Sequence, residues 1–362
     1  MEKLMMYVYS DLKTDARVMR SIEALKETYD LTVLATNSEK NFNAEGFEFI
    51  DVIDSRKTNP LVRYLSSLRS ALKLVNQRSP DIIYAHDYYA APWVLLKMSG
   101  RKSIYDAHEI FCLNKPSTKR EKITGFLERR AIEKVDRVIC ACESRKMLMT
   151  QSLQTKREIV SINNVSILPR VVSEDQILNI HSDLDKFLSD HRRTVVYCGA
   201  LIRARRIDLL IGAAQELSDR IKVLIVGAGE EKERIAKLVK DYAIGNVYML
   251  NAVPYRLIYS VISKCDIGYL HYENDTLNNT YCAPNKIYEY ASAQLPVVGN
   301  CNVGLSSVIE KYSIGVVDDN LTAAISKVID GYDSYKDNLA TFLQDSSWDI
   351  EKKKLVSAVT EM

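Results

Sequence analysis

The sequence lacks any long apolar run. No stretch of its 362 residues approaches the roughly 20 uninterrupted apolar residues that a membrane-spanning helix needs. The net charge is only +2, so the charge balance gives no reason to expect nucleic acid as a partner. The seven cysteines form no C-x-x-C pair, and no second ligand pair completes a zinc site. We therefore expect a cytoplasmic protein with reduced thiols, no metal ion and no nucleic-acid partner.

Glycine signatures of dinucleotide binding are also incomplete. The turn after the first predicted strand, residues 10–15, contains no glycine. The segment Gly227-Ala-Gly229 is not followed by a third glycine at the spacing that such a fingerprint requires. A dinucleotide-dependent dehydrogenase is therefore disfavoured, and Gly227 predicts a strand-to-helix turn.

What the sequence does contain is a regular alternation of short apolar, β-branched runs with segments of helical spacing. Runs such as residues 223–226 are apolar at every position, which is typical of strands in a parallel sheet covered on both faces. The alternation predicts an α/β fold with parallel sheets. The predicted strands are Leu4–Tyr9, Leu31–Ala35, Phe47–Val52, Asp81–Ala85, Ser103–Tyr105, Arg137–Ala141, Ile159–Ile162, Thr194–Cys198, Lys222–Val226, Val247–Leu250, Asp266–Leu270, Pro296–Gly299 and Gly315–Val317.

The strand series breaks once, which indicates two domains. Residues 169–193 are polar and acid-rich, and we predict a linker there between a domain of residues 1–168 and one of residues 194–345. An amphipathic helix is predicted for residues 346–362. Open parallel sheets bind ligands beyond the carboxyl ends of their strands, so two such sheets facing each other would form one cleft.

The strongest local motif runs from Pro284 to Tyr290 and continues into the apolar segment 295–298. A helix beginning at Pro284 offers free N–H groups and a positive dipole end to an anion. Lys286 stands in its first turn, where a lysine does not favour the helix itself, and Glu289 follows one turn later. Such a base and acid can serve two parts of one ligand. The alternative is an incidental surface pair worth a few tenths of a kcal/mol.

This motif, Pro-Asn-Lys-x-x-Glu-Tyr followed by Pro-Val-Val, resembles the donor-binding signature of GT-B glycosyltransferases of family 4. Other segments resemble that family in the same order along almost the whole chain. They are Asp15-Ala-Arg17-Val18, Tyr105-Asp106-Ala107-His108-Glu109, Gly199-Ala-Leu201 with Arg205 and Arg206, and Trp348 with the last helix. The resemblance implies two Rossmann-like domains facing across a cleft, and a C-terminal helix that crosses back to the N-terminal domain.

The resemblance also implies roles in the second domain. Glu289 would bind the ribose hydroxyls of a nucleotide donor, because a carboxylate accepts two hydrogen bonds from a vicinal diol. Arg205 and Arg206 would hold the diphosphate, since guanidinium groups bind phosphate oxygens in a bidentate fashion. Gly199 would let the backbone approach the donor closely. The further donor-side candidates are Lys286, Tyr281, His271 and Gly227.

In the first domain the resemblance places a histidine, His108, near the donor sugar, where it would orient the acceptor or assist proton movement. Glu109 is the second catalytic candidate, because a neighbouring acid sets the tautomer and pKa of a histidine. The acceptor-side candidates are Arg17, His86 and Asp87. The alternative for each is a structural role, which is the commoner fate of a lone histidine.

The sequence departs from the family pattern at two positions. Tyr281 stands where many members carry a glutamate, eight residues before the ribose-binding one, and Ala200 stands where many carry an arginine after the glycine. The first departure concerns how the transferred sugar is held, with Tyr281, His271 or Asn279 as substitutes. The second removes one phosphate-binding cation. The cations that could replace it are Lys286 and Arg203.

Two basic segments occur in the N-terminal half, residues 56–78 and 115–130. One interpretation is a solvated helix face and a charged loop. The other is contact with an anionic membrane surface, where each cationic residue is worth about 1 kcal/mol. Their members are Arg56, Lys57, Arg63, Arg69, Lys73 and Arg78, and Lys115, Lys119, Arg120, Lys122, Arg129 and Arg130.

The sequence thus predicts a cytoplasmic glycosyltransferase, with or without peripheral contact with the inner face of the membrane. It would move a sugar from a nucleoside diphosphate sugar to a hydroxyl of a saccharide or lipid-linked acceptor. The resemblance implies retention of configuration, no metal, no cofactor and a role in surface polysaccharide synthesis. The alternatives are a non-catalytic sugar-nucleotide-binding subunit and a nucleotide-sugar epimerase.

Overall fold

The computed structural model describes residues 1–36, 44–52, 59–166, 168–169, 184–242 and 244–362. The chain divides into two compact units, one formed by Met1–Asn164 with Asp349–Met362 and the other by Val165–Trp348. Most of the predicted linker, residues 169–193, lies outside the described residues, as do Arg56 and Lys57 of the first basic segment. None of the described helices is both long enough and apolar enough to cross a membrane.

The first unit is built on a parallel sheet with helices between its strands. Its strands are β1 (Lys3–Asp11), β2 (Asp30–Thr36), β3 (Glu48–Asp51), β4 (Ile82–His86), β5 (Lys102–Ala107), β6 (Arg137–Cys140) and β7 (Glu158–Ser161). Its helices include α1 (Ala16–Leu25), α2 (Pro60–Arg78), α3 (Ala91–Lys97), α4 (Lys119–Lys134) and α5 (Glu143–Leu153). The strand order is β3-β2-β1-β4-β5-β6-β7, with every pair parallel.

Local sequence chemistry explains where these helices begin. The Asp15 carboxylate accepts a hydrogen bond from the Val18 N–H and caps α1. The Asn59 side chain accepts hydrogen bonds from the N–H groups of Leu61 and Val62, with proline at the first helical position of α2. Both caps satisfy N–H groups that have no partner inside the helix. Helix α2 accordingly begins at Pro60.

The second unit contains a second parallel sheet of the same kind. Its strands are β8 (Arg193–Ala200), β9 (Ile221–Ala228), β10 (Val247–Asn251), β11 (Ile267–Leu270), β12 (Val297–Gly299) and β13 (Gly315–Val317). The labelled helices are α6 (Ile207–Glu216), α7 (Lys232–Asp241), α8 (Ile258–Ile262), α9 (Leu277–Thr280), α10 (Asn285–Ser292), α11 (Val303–Tyr312), α12 (Leu321–Asp330) and α13 (Tyr332–Asp345). The strand order is β10-β9-β8-β11-β12-β13.

The last helix, α14 (Trp348–Thr360), packs in the first unit from Asp349 onward. The Glu351 carboxylate is fully buried and accepts hydrogen bonds from the backbone N–H of Asn163 at 2.8 Å and from its side-chain amide at 2.9 Å. The hydroxyl groups of Tyr29 and Thr360 lie 3.1 Å apart. Hydrogen bonds to a buried carboxylate stabilise this attachment, because an unpaired charge there would be costly.

Candidate functional site

In the second unit the motif residues meet at the carboxyl edge of the sheet. Helix α10 begins at Asn285, with Pro284 as its N-cap residue. The Lys286 ammonium lies 2.5 Å from Oε2 of Glu289, and the Ser166 hydroxyl donates to Oε1 of Glu289 at 3.2 Å. The Tyr255 hydroxyl lies 2.7 Å from the Ser166 oxygen. A carboxylate that is only 3% exposed is thereby held in one orientation by two different donors.

Lys286 keeps its positive charge beside Glu289. Burial opposes the charged form of the lysine, but the Glu289 carboxylate outweighs that effect and raises the pKa of Lys286. Gly199 is the second-last residue of β8, and a Cβ atom at this position would lie 3.8 Å from the Cε atom of Lys286. The strand end, the lysine and the free N–H groups at the start of α10 therefore border the same position, which suits an anion.

Arg205 and Arg206, adjacent in the chain, have different surroundings. The Arg205 guanidinium carbon lies 3.9 Å from the centre of the Tyr272 ring, and Nη1 of Arg205 donates to the His271 carbonyl at 3.3 Å. Arg206 instead forms salt bridges with Asp208 at 3.0 Å and with Glu273 at 3.2 Å.

Among the described residues, no carboxylate lies within salt-bridge distance of Arg205, so its charge is available to a ligand, while that of Arg206 is neutralised. The backbone of Arg206 adopts a positive φ of 45°, which turns the chain between the 3₁₀ segment Arg203–Arg205 and α6. The resemblance implied that both arginines hold the diphosphate. In the structure their side chains have different partners.

The remaining donor-side candidates lie on neighbouring segments. His271 follows β11 and is 8% exposed, and Tyr281 follows α9 and is half-buried. Gly227 pairs with Gly199 between β9 and β8, and a Cβ on Gly227 would lie 2.0 Å from the Gly199 carbonyl oxygen. A glycine is therefore required at position 227 by the packing of the two strand ends, independently of any ligand.

In the first unit a buried ion pair organises the carboxyl edge of the sheet. Arg17 of α1 donates from Nε and Nη2 to Oδ1 of Asp106, at 3.1 and 2.8 Å, and from Nη1 to the Ile162 carbonyl at 3.0 Å. The Tyr84 hydroxyl donates to Oδ2 of Asp106 at 3.0 Å. Although burial opposes ionisation, Arg17 and neighbouring histidines lower the pKa of Asp106 to about 2.

A pair of histidines lies beside this ion pair. Nδ1 of His86 and Nε2 of His108 share a hydrogen bond of 3.2 Å, and Nδ1 of His86 lies 3.6 Å from Oδ2 of Asp106. The His86 ring stacks on Tyr84 with ring centres 4.3 Å apart. Burial lowers the pKa of His86 to about 3 and also lowers the pKa of His108. Both rings are therefore neutral near pH 7.

Within the described part of the chain, ligand atoms of His86, Asp106 and His108 lie within 4.8 Å of one another, close enough to be considered for a metal ion. The Asp106 carboxylate already accepts hydrogen bonds from Arg17 and Tyr84. The Arg17 guanidinium also supplies the positive charge that a bound cation would bring. These side chains fit a buried hydrogen-bond network better than a cation site.

Asp87 and Glu109, the other candidates of this unit, differ in their surroundings. Asp87 directly follows β4 and has a φ of 63°. Residues other than glycine adopt this backbone conformation only at a cost in free energy. Its buried Oδ1 atom has no hydrogen-bond partner, and burial raises the pKa of Asp87 well above its ordinary range. Glu109 is exposed, so the buried carboxylate beside the histidines is Asp106.

Several residues of these clusters had no separate role in the sequence interpretation. Asp106 lies within a quoted motif, and its alternation with Tyr105 along a strand could have indicated that the two side chains point to opposite faces of the sheet. Ser166 contacts Glu289 from 123 positions away in the chain, so no local signal could identify it. The same holds for the pairing of Arg206 with Glu273.

Comparison with protein families gives two matches, one in each unit. A model described as glycosyltransferase family 4 matches residues 16–165, and a model described as glycosyl transferases group 1 matches residues 182–338. The chain belongs to glycosyltransferase family 4. The family and the glycosyltransferase class predicted from the sequence are confirmed.

Solved structures support the fold of this family 4 glycosyltransferase. Sucrose-phosphate synthase from Thermosynechococcus elongatus gives a TM-score of 0.76 at 14% identity, covering 100% of this chain and 99% of the other. Anabaena HepE, solved in complex with UDP-glucose, gives 0.72 at 15% identity and covers 100% of both chains. With its two parallel sheets, the chain has the predicted GT-B fold.

One curated relative matches only part of this chain. An uncharacterised glycosyltransferase of Methanocaldococcus jannaschii is 22% identical over 186 residues, which are 49% of this chain and 45% of that relative. The match therefore spans less than half of the length of that protein.

The neutral state of His86 gives a prediction for this glycosyltransferase. Its folded pKa of about 3 lies below the unfolded value of about 6.5. The unfolded chain therefore binds more protons in that interval, and stability falls as the pH decreases. We expect His86→Asn to reduce the slope of the free energy of unfolding by about 1.4 kcal/mol per pH unit between about pH 6 and pH 4.5.

Urea titrations at several pH values measure this slope. His191→Asn is the matched control, because His191 is exposed, and it should leave the slope unchanged. Identical slopes for the wild-type protein and His86→Asn would contradict the assignment of a neutral buried histidine.

Proposed function

We propose that this family 4 glycosyltransferase moves a sugar from a nucleoside diphosphate sugar to a hydroxyl of a saccharide or lipid-linked acceptor. The observation that carries the proposal is the buried Glu289 carboxylate, held by Lys286 and Ser166 at the start of α10. A vicinal diol is the ligand that such a carboxylate fits, and an anion fits the adjoining lysine and helix terminus. The similar Anabaena protein is solved with UDP-glucose bound, which supports a donor of this chemical class.

In the proposed mechanism Glu289 binds the ribose, and Arg205 and Lys286 bind the diphosphate. Negative charge develops on the departing diphosphate, so fixed cations at that position lower the barrier. Gly199, Gly227, His271 and Tyr281 complete the donor side, with Arg206 shaping the loop instead of binding phosphate. These cations perform the task for which other transferases employ a metal ion, and we propose a metal-independent, cofactor-free, retaining reaction.

On the acceptor side we propose that neutral His108 orients the attacking hydroxyl. His86 fixes the ring of His108 through their shared hydrogen bond, and Arg17 acts through Asp106. Asp87 binds the acceptor. Glu109 directly follows His108 in the chain and is exposed. A neutral imidazole accepts a proton more readily than an imidazolium, which suits general base assistance.

We also propose peripheral contact with an anionic membrane through α2 and α4, which both pack against α3. Exposed apolar side chains lie on each helix: Leu61, Val62 and Leu65 on α2, and Ile123 and Phe126 on α4. Basic residues flank them, including Arg63, Arg69, Lys119 and Lys122. Apolar side chains surrounded by cations are typical of interfacial binding. Such contact places the protein on the inner face of the membrane and suits surface polysaccharide synthesis.

The donor site is tested by replacing Glu289. We expect Glu289→Ala to weaken binding of the preferred nucleoside diphosphate by about tenfold or more, because charge-assisted hydrogen bonds are worth about 1.5–3 kcal/mol. Calorimetry with UDP, GDP, ADP and dTDP measures the affinity and identifies the base. Glu310→Ala, at an exposed glutamate of α11, is the control. Equal affinity of Glu289→Ala and wild-type protein would refute the ribose assignment.

The two arginines should respond differently to substitution. We expect Arg205→Ala to reduce release of nucleoside diphosphate from the donor by about 10²–10³-fold, as removal of one charge-stabilising donor does. Arg206→Ala should cost less than about tenfold, since its charge is already neutralised by Asp208 and Glu273. A coupled assay of nucleotide release compares them. A larger loss in Arg206→Ala than in Arg205→Ala would reverse the assignment.

Membrane contact is tested by sedimentation with vesicles of phosphatidylcholine, with and without phosphatidylglycerol. We expect binding only with the anionic lipid, weakened by salt and by the double substitution Leu61→Ser with Leu65→Ser. Val303→Ser, at an exposed apolar residue of the second unit, should bind like the wild-type protein. Binding that is indifferent to the double substitution would exclude this surface.

A further inference from the structure

The first unit contains an aromatic cluster that the donor chemistry and the histidine pair do not use. Its members, Tyr9, Tyr64, Tyr88, Tyr89 and Phe111, come from four separate segments of the chain. Neighbouring ring centres lie 4.4 to 5.5 Å apart, and Tyr88 stacks on Phe111 at 4.7 Å with an interplanar angle of 25°. Each ring is half-buried, and the cluster stands apart from the buried core of this unit.

The position of the aromatic cluster is the edge where parallel sheets bind ligands. Tyr9 lies near the end of β1, Tyr88 and Tyr89 follow β4, and Phe111 follows β5. The chain enters the cluster directly from the histidine pair, since His86 is two residues before Tyr88 and His108 is three residues before Phe111. Ligands of open parallel sheets bind at this carboxyl edge.

A polar group of unusual character adjoins the aromatic cluster. Asp87 immediately precedes Tyr88, has a positive φ of 63°, and carries a buried Oδ1 atom without a hydrogen-bond partner. Burial raises the pKa of Asp87 and so favours the protonated carboxyl group, which can both donate and accept. Backbone strain and an unsatisfied buried oxygen together are features of ligand-binding positions, where a bound group completes the hydrogen bonding.

The combination matches the chemistry of a pyranose ring. One face of such a ring presents C–H groups, which pack on the negative face of an aromatic ring, while its rim presents hydroxyl groups. A binding site of this kind is lined by aromatic side chains with a small number of placed polar groups. Arg120 contacts the cluster at an exposed position, with its Nη2 atom 3.5 Å from the Tyr89 hydroxyl, and it does not interrupt the stacked faces of Tyr88 and Phe111.

Resting on the proposed function, we propose that the aromatic cluster is the acceptor subsite and that it binds a pyranose ring. Tyr88 and Phe111 provide the stacking surface, and the Asp87 carboxyl group exchanges hydrogen bonds with a ring hydroxyl. The acceptor is therefore a saccharide, free or lipid-linked, whose terminal sugar is recognised by its apolar face.

Saturation-transfer NMR on the full-length protein tests this subsite with methyl pyranosides of glucose, galactose, mannose and N-acetylglucosamine as probes. We expect at least one probe to receive saturation mainly at the protons of one ring face. Tyr88→Leu and Phe111→Leu, which keep an apolar side chain but remove the ring, should reduce that signal several-fold. Tyr88→Phe should retain it, and Tyr242→Leu, at an exposed tyrosine of the second unit, is the control.

Asp87 is tested by an isosteric substitution and by a substitution to glycine, the residue that best suits its φ of 63° and ψ of 168°. Asp87→Asn keeps a neutral group that donates and accepts, whereas Asp87→Gly removes the side chain. We expect pyranoside binding to survive in Asp87→Asn and to be reduced several-fold in Asp87→Gly. Equal binding by both variants would remove Asp87 from the subsite.

Calorimetry with UDP, GDP, ADP and dTDP on the same proteins separates this proposal from the donor assignment. Nucleotide binding without saturation of any pyranoside, or with saturation unchanged in both leucine variants, overturns the acceptor subsite and leaves the donor site standing. Face-selective saturation that is lost in the leucine variants supports the subsite even if no nucleotide binds, and in that case the donor proposal is the one that fails.

Discussion

The parallel order of the strands is the constraint on which the chemistry of this protein depends. In both sheets every strand points the same way, so the chain leaves each sheet at one edge and re-enters at the other. For this reason His86 ends β4 and His108 and Phe111 follow β5. In the second unit, Arg205 and His271 follow β8 and β11 in the same way. Residues that are far apart in the sequence therefore lie at the same edge of a sheet, and no long loop is needed to bring them together.

Arginines with a structural role in this protein are paired with carboxylates. The buried Arg17 is matched by Asp106, because an unpaired ion inside a protein costs several kcal/mol. The partly exposed Arg206 is matched by two carboxylates. Arg205 is held differently, by the face of Tyr272 and by a carbonyl group. These contacts orient a guanidinium without cancelling its charge, and an anionic ligand gains from that charge.

The sequence predicted the strands well because their signal is local. Each predicted strand is present with ends within two residues of the observed ones, since apolar runs and the breaks between them are written in consecutive positions. The start of α2 depends on equally local chemistry, because Asn59 caps the helix and Pro60 is its first residue.

The partners of the site residues could not be predicted in this way. That Arg206 binds Glu273, or that Tyr9 meets Tyr64 and Tyr89, depends on which strands become neighbours, and no window of sequence contains that information. Motif resemblance suggested the donor-side residues, and the structure adds that the side chains of Arg205 and Arg206 have different partners.

The departure from the family pattern at position 200 has a structural context in the contacts of the neighbouring residues. At position 200 only the backbone has a polar role, because the Ala200 carbonyl accepts a hydrogen bond from the Tyr197 hydroxyl at 2.6 Å. A built Cβ on Gly199 would lie 3.1 Å from that same hydroxyl, so the tyrosine fills the space beside the strand end. Arg205 lies near the same tyrosine, and its charge lowers the pKa of Tyr197 against the larger effect of burial. The end of β8 thus has a positive charge near it without an arginine at position 200, and this is the kind of charge that the proposed donor site requires.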